Sequence, residues 1–218
     1  MDPVGARTFE GKRIPIASLA RVLRRGSLSF ARVGRDERAR AFATLVSAFI
    51  DDPVERWLYP EPQQYLRRFP EFLEALGGKA FDEQTAWRLG EFAGVALWLQ
   101  PGAKADGTAI STVLEESVSA NKHADMFLAL EQMDVAHPTH LHWYLPWFGV
   151  DAAQQGQGIG GQLMEACLAE VDASRLPAYL ETPNPRNISF YERHGFEVKG
   201  ETQGGACPRI VFMDRAAR

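Results

Sequence analysis

The residues Gln155-Gly156-Gln157-Gly158-Ile159-Gly160-Gly161 follow an apolar stretch, Leu141 to Val150, and open a helix-like run from Gln162 to Val171. A strand, a glycine-rich turn and a helix in that order point several backbone N–H groups into one concavity at a helix N-terminus. The glycines carry no Cβ to block close approach, and the helix macrodipole is positive at that end. Such a concavity suits phosphate.

Two phosphate-binding patterns fit these letters. Gly156-x-Gly158-x-x-Gly161 satisfies a dinucleotide fingerprint, and Glu181 follows at about the spacing of a ribose-binding acid. In that fold the glycines sit at the strand's end and a multi-strand parallel sheet follows. Here Asp151 to Gln155 intervene after Val150, and beyond Glu181 the chain has room for only one helix and one or two strands.

The other pattern is Gln155-x-x-Gly158-x-Gly160, and its surroundings agree with it. Phe148-Gly149-Val150-Asp151 precedes it; Leu180-Glu181-Thr182 and then Asn187-Ile188-Ser189-Phe190-Tyr191-Glu192-Arg193-His194-Gly195-Phe196-Glu197 follow. Together these motifs resemble the GCN5-related N-acetyltransferase (GNAT) superfamily. The resemblance covers most of Ser27 to Asp214. It is nearest to the puromycin N-acetyltransferase-like members in Ala48-Phe49 followed by Asp52-Pro53, in Val95-Ala96-Leu97-Trp98, and from Trp147 to Glu197, and weakest between Pro101 and Pro138.

The resemblance implies acetyl-CoA as cosubstrate, no metal, and direct transfer of acetyl to the amine of a small molecule. It places the backbone of Phe148, Gly149 and Val150 against the thioester and pantetheine, and Gln155, Gly156, Gln157, Gly158, Ile159 and Gly160 around the pyrophosphate. Gly149 and Pro146 suggest a bulge that frees ladder N–H groups for a ligand. Asn187 matches a position that helps hold pantetheine, or it only caps the following helix. Tyr191 matches the tyrosine that protonates the departing sulfur, a role open to a phenol protonated at neutral pH.

The proton acceptor stays open among His142, Glu181, Glu131 and a water chain. His140 and His142 resemble histidines of arylalkylamine N-acetyltransferases, but they lie too far from Val150 for the registers to match. Trp57 and Tyr59 fall where family members wall the acceptor site, and Tyr144 and Trp147 come from the strand beneath, a set suited to an aromatic or otherwise apolar amine or to core packing. Two other readings are a non-catalytic acyl-CoA sensor and a protein or peptide acetyltransferase.

The elements that must position these residues are legible in the patterning. Leu28, Phe30 and Val33 predict a first strand; apolar spacing predicts helices over 36–49, closed by Pro53, and over 63–76, ended by Gly77-Gly78. Ala86 to Leu89 and Phe92 to Leu99 predict a hairpin across Gly90-Glu91, and 107–135 a helical excursion. The expected fold is α/β, a mixed and largely antiparallel sheet with helices on both faces.

With 218 residues, 45% of them hydrophobic, the chain can bury one sizeable core. One domain is expected over 27–218, after a flexible basic extension over 1–26 that carries Arg7, Lys12, Arg13, Arg21, Arg24 and Arg25. A net charge of −4 argues against a nucleic-acid surface, and no apolar stretch approaches the roughly 20 residues of a membrane span. Cys167 and Cys207 build no disulfide framework. The expectation is a cytoplasmic monomer or homodimer with a small-molecule amine as partner and no nucleic acid or membrane.

Overall fold

The computed structural model describes residues 28–218; the basic extension expected over 1–26 lies outside them. Strands β1 (Phe30–Arg32), β2 (Ala86–Leu89), β3 (Gly94–Leu99), β4 (Trp143–Val150), β5 (Ala178–Thr182), β6 (Glu197–Thr202) and β7 (Ile210–Arg215) form one sheet in the order β1-β2-β3-β4-β5-β7-β6. Every pairing is antiparallel except β4 with β5. A single parallel pair does not make the sheet that a dinucleotide fold requires.

Helices cover both faces. Against one lie α1 (Arg38–Ala48), α2 (Pro53–Leu58), α3 (Pro62–Gly77), α4 (Lys79–Asp82), α5 (Gly107–Ser117) and α6 (His123–Ala136), sharing a core with Val95, Leu97 and Leu99. Against the other lie α7 (Ile159–Asp172) and α8 (Ile188–Arg193), whose Leu163, Met164, Cys167 and Tyr191 pack with Ala96, Trp98 and Leu180. The alternation of β3 between these two cores follows from the period of two along a strand.

One expectation is corrected. Pro53 does not close α1, which ends at Ala48; it opens α2 as the first helical residue, where its missing N–H costs nothing. Asp52 is the N-cap, with Oδ1 accepting from Val54 N at 3.0 Å and Glu55 N at 3.4 Å. The excursion over 107–135 is two helices, broken where Val118 turns extended after α5.

Strand β4 carries the feature on which the site depends. Leu97 pairs with Trp147 but Leu99 pairs with Tyr144, so β4 holds one extra residue at Leu145-Pro146, the bulge expected near Pro146. The bulge reverses the phase of the strand. Trp143 and Leu145 pack under α7, yet beyond Pro146 it is Phe148 and Val150 that face that side, while Tyr144 and Trp147 share the opposite core. Pairing with β5 stops after Trp143 with Ala178 and Tyr144 with Tyr179, so from Leu145 onward the two strands part.

Candidate active site

The gap between β4 and β5 opens into a groove of about 1190 Å3 over the phosphate loop and a smaller cavity of about 110 Å3 beneath α2, α3 and α6. The two meet. Phe49, Asp52, Phe148, Asn187 and Tyr191 line both, so whatever lies in the groove reaches what lies in the cavity at these five residues.

The groove is built on the glycine loop. Gly156 and Gly158 adopt φ of +72° and +80°, a left-handed region open to glycine at little cost, and a Cβ on either would meet nothing within 4 Å. Gly158 is the N-cap of the fourteen-residue α7, whose first N–H groups have no partner within the helix. Gln155 braces the loop by donating from Nε2 to the Val150 carbonyl at 3.1 Å. Phe148, Gly149, Val150, Gln155, Gly156, Gly158, Ile159, Gly160 and Asn187 all line the groove, whereas Gln157 is exposed on the loop outside that lining. A Cβ at Gly149 would sit 2.6 Å from that of Ala48, so this glycine also lets α1 approach the strand.

The capping alternative for Asn187 is not met, because its side chain makes no cap bond; Asn184 accepts from Arg186 N at 3.1 Å and caps the preceding turn instead. Tyr191 is 6% exposed, and burial followed by the nearby Asp52 pushes its phenol above the ordinary value. It therefore holds its proton at neutral pH.

The four aromatics expected to wall the acceptor site divide. Trp57, Tyr144 and Trp147 line the cavity. Tyr59 does not: it is fully buried and its hydroxyl lies 2.9 Å from Ser117 Oγ, a packing role. Trp147 serves packing as well, set edge-on against Phe49, Phe69 and Phe72 with ring centroids 5.3 to 5.4 Å away.

Of the expected proton acceptors, Glu181 lines the cavity, while Glu131 is exposed and lines neither space. His142 lies outside both and connects to Glu181 through His137, a residue the sequence did not single out. His142 Nδ1 is 2.7 Å from the His140 carbonyl oxygen, which can only accept, so Nδ1 carries the proton. Burial lowers the His142 pKa and keeps the ring neutral, leaving Nε2 as an acceptor for His137 Nε2 at 3.0 Å. His137 Nδ1 lies 3.7 Å from Glu181 Oε1.

Sequence reasoning also passed over Asp52 and Glu55 as chemical groups. Both are buried and both line the cavity. Burial, offset by the two backbone N–H groups, raises Asp52 to about 6, and burial together with Asp52 holds Glu55 well above the usual carboxylate range. The signal was present in Asp52-Pro53-x-Glu55: an N-cap acid before a Pro, with a second acid one turn along.

Residues 119–198 match the family described as acetyltransferase (GNAT) domain. An uncharacterized N-acetyltransferase of Schizosaccharomyces pombe is 30% identical over 181 residues, covering 76% of this chain and 72% of the relative. This chain belongs to the GNAT superfamily of N-acetyltransferases. Among solved structures, a Corynebacterium glutamicum protein described as histone acetyltransferase HPA2 and related acetyltransferase superposes on this N-acetyltransferase with a TM-score of 0.63 at 20% identity, covering 88% of this chain and 98% of the other. The polyamine N-acetyltransferase of Drosophila melanogaster does so with a TM-score of 0.61 at 14% identity, covering 87% and 99%. At such identities these two share the fold with this N-acetyltransferase. Among the described residues no helix is long and apolar enough to cross a membrane.

Proposed function

We propose that this N-acetyltransferase moves the acetyl group of acetyl-CoA directly to the amine of a small molecule where groove and cavity meet. One observation carries the reading: Asp52 and Tyr191, a buried acid and a buried phenol, both belong to the five residues shared by the two spaces. The glycine loop fits a pyrophosphate because its positive-φ glycines leave the surface open and the N–H groups of α7 unpaired. Acetyl-CoA, when bound there, supplies an activated acyl group on a thioester.

The residues then divide the work. The Phe148 N–H, freed where β4 leaves β5, steadies charge developing on the carbonyl oxygen. Asp52, ionised above about pH 6, holds the incoming ammonium and accepts its proton. As the C–N bond forms and the C–S bond breaks, Tyr191 gives its proton to the sulfur, and the second proton shed by the nitrogen restores the phenol. Burial argues against an acetyl-cysteine route: Cys167 is fully buried in α7 away from both spaces, and Cys207, which lines the cavity, is 3% exposed with its thiol pushed up to about 11 by burial. The small cavity favours a compact amine over a peptide chain.

The test is thiol release from acetyl-CoA across a panel of small amines and lysine peptides, with initial rates measured against both substrates. Intersecting lines and turnover of small amines are expected. Parallel lines with acetyl recovered on the protein would refute direct transfer, and turnover of peptides alone would refute the substrate class.

A further inference from the structure

The side chains that line the cavity beneath α2 have an unbalanced chemistry. Asp52, Glu55 and Glu181 are all carboxylic, and among the described residues no Lys, Arg or His lines this space. Two of the three acids have partners: Asp52 caps α2, and Glu181 faces His137. Glu55 is different. It is 3% exposed, and its Oε2 is buried with no hydrogen-bond partner. The neighbouring Arg56 does not serve it, since that guanidinium donates to the Pro60 carbonyl. The titratable groups near Glu55 are Asp52, the Cys207 thiol, which burial keeps protonated, and the hydroxyls of Tyr59 and Tyr65, which are already engaged with Ser117 and the Val46 carbonyl.

A buried acid without a partner is costly, whether it stays charged or must give up its hydrogen bonds. A cation brought in by the ligand would remove that cost. We propose that Glu55 is the specificity determinant for a second cationic group on the acceptor, so that the preferred substrates are short diamines or amino-guanidines rather than monoamines. The proposal rests on the small-amine reading above and sharpens it. Asp52 is the N-cap of α2 and Glu55 stands in its first turn, and both carboxyl side chains line this one cavity. An amine poised at Asp52 beside Tyr191 would therefore hold a second ammonium against Glu55 across a short aliphatic spacer. The apolar side chains of Leu58, Leu114, Met126 and Met133 would cover that spacer.

The probes are putrescine and n-butylamine, which share a four-carbon chain and differ in the second ammonium, with 2-phenylethylamine as the aromatic comparison. Thiol release at saturating acetyl-CoA gives kcat/KM for each, in the natural protein and in Glu55→Gln. Putrescine is expected to exceed n-butylamine by roughly 10²-fold in the natural protein, in line with losing one member of a buried charge pair. In Glu55→Gln that ratio should shrink to a few-fold, chiefly through the KM for putrescine. Putrescine should also raise the Tm of the natural protein but not that of Glu55→Gln. The Tm of each variant without ligand shows that it is folded.

A putrescine to n-butylamine ratio near one, a ratio untouched by Glu55→Gln, or a clear preference for 2-phenylethylamine would each overturn the proposal while leaving acetyl transfer to a small amine standing. If no amine at all releases thiol, the broader reading fails and this one fails with it.

Discussion

Arg215 and Asp172 form a bidentate ion pair, Nη1 to Oδ1 at 2.5 Å and Nη2 to Oδ2 at 2.9 Å, that ties the end of β7 to the end of α7. The arginine side chain is 3% exposed, and its Nε donates to the His194 carbonyl at 3.0 Å. The pair therefore locks strand, α7 and the end of α8 together along the groove. Removing the guanidinium leaves Asp172, 30% exposed, and the His194 carbonyl without their donor, so Arg215→Met should lower stability by about 1.5–3 kcal/mol. The bond from Arg215 also holds the Asp172 carboxyl below its ordinary 3.8. Its contribution is thus complete above that value and is lost as pH falls through the lowered one. Chemical denaturation across an acidic series should show this loss, and Asp172→Asn should abolish it.

Gly160 lies in the first turn of α7, where a Cβ would sit 3.5 Å from Phe190 and Val150, an ordinary contact. Gly160→Val therefore keeps the fold and sets a branched side chain at the groove wall. Calorimetry should find acetyl-CoA affinity reduced at least tenfold with the Tm nearly unchanged. Undiminished affinity would take this loop out of the cosubstrate site.

Tyr191→Phe removes a proton donor needed mainly as the C–S bond breaks. kcat should drop by roughly 10²-fold or more while the Kd for acetyl-CoA holds. If chemistry is rate-limiting and kcat does not change, Tyr191 is a packing residue.

Asp52 couples activity to stability. Its value rises on folding from 3.8 to about 6, so the stability it contributes is complete below 3.8 and is lost as pH climbs through about 6. Above that, the buried anion costs about 3 kcal/mol relative to its acid form. Asn caps a helix as well as Asp does, so Asp52→Asn should keep α2 and be the more stable protein at pH 8. It should also lose most of its kcat, along with the rise in kcat/KM near pH 6 seen in the natural protein. Retention of that rise would reassign proton acceptance, with Glu181 and His137 next to be substituted.

Trp57 and Tyr59 should behave oppositely. Trp57→Ala opens the cavity wall and should raise the acceptor KM with the Kd for acetyl-CoA intact. Tyr59→Phe loses the buried bond to Ser117 and should cost about 1–2 kcal/mol of stability without moving KM. Matched kinetics and thermal melts on both variants would check the division.

The phosphate loop, the hairpin of β2 and β3 and the helical faces of α1 and α3 were legible in the sequence alone, because each follows from local rules: glycine at positive φ, a period of two, a period of 3.6. The acetyltransferase fold was legible for the same reason, since its loop and its Tyr191 segment are each continuous in sequence. Tertiary structure alone decided the acceptor side. Whether Tyr144 and Trp147 share a face depends on one extra residue at Leu145-Pro146, which flips the alternation that the letters would suggest. Trp57 and Tyr59 are two positions apart, and only the docking of α2 sends one to the cavity and the other to Ser117. Asp52 and Glu55 look like ordinary helix-start acids in the sequence, where such residues are usually solvated. Their chemistry comes from burial beneath α3 and α6, and burial is a property of distant segments brought together, which no local pattern encodes.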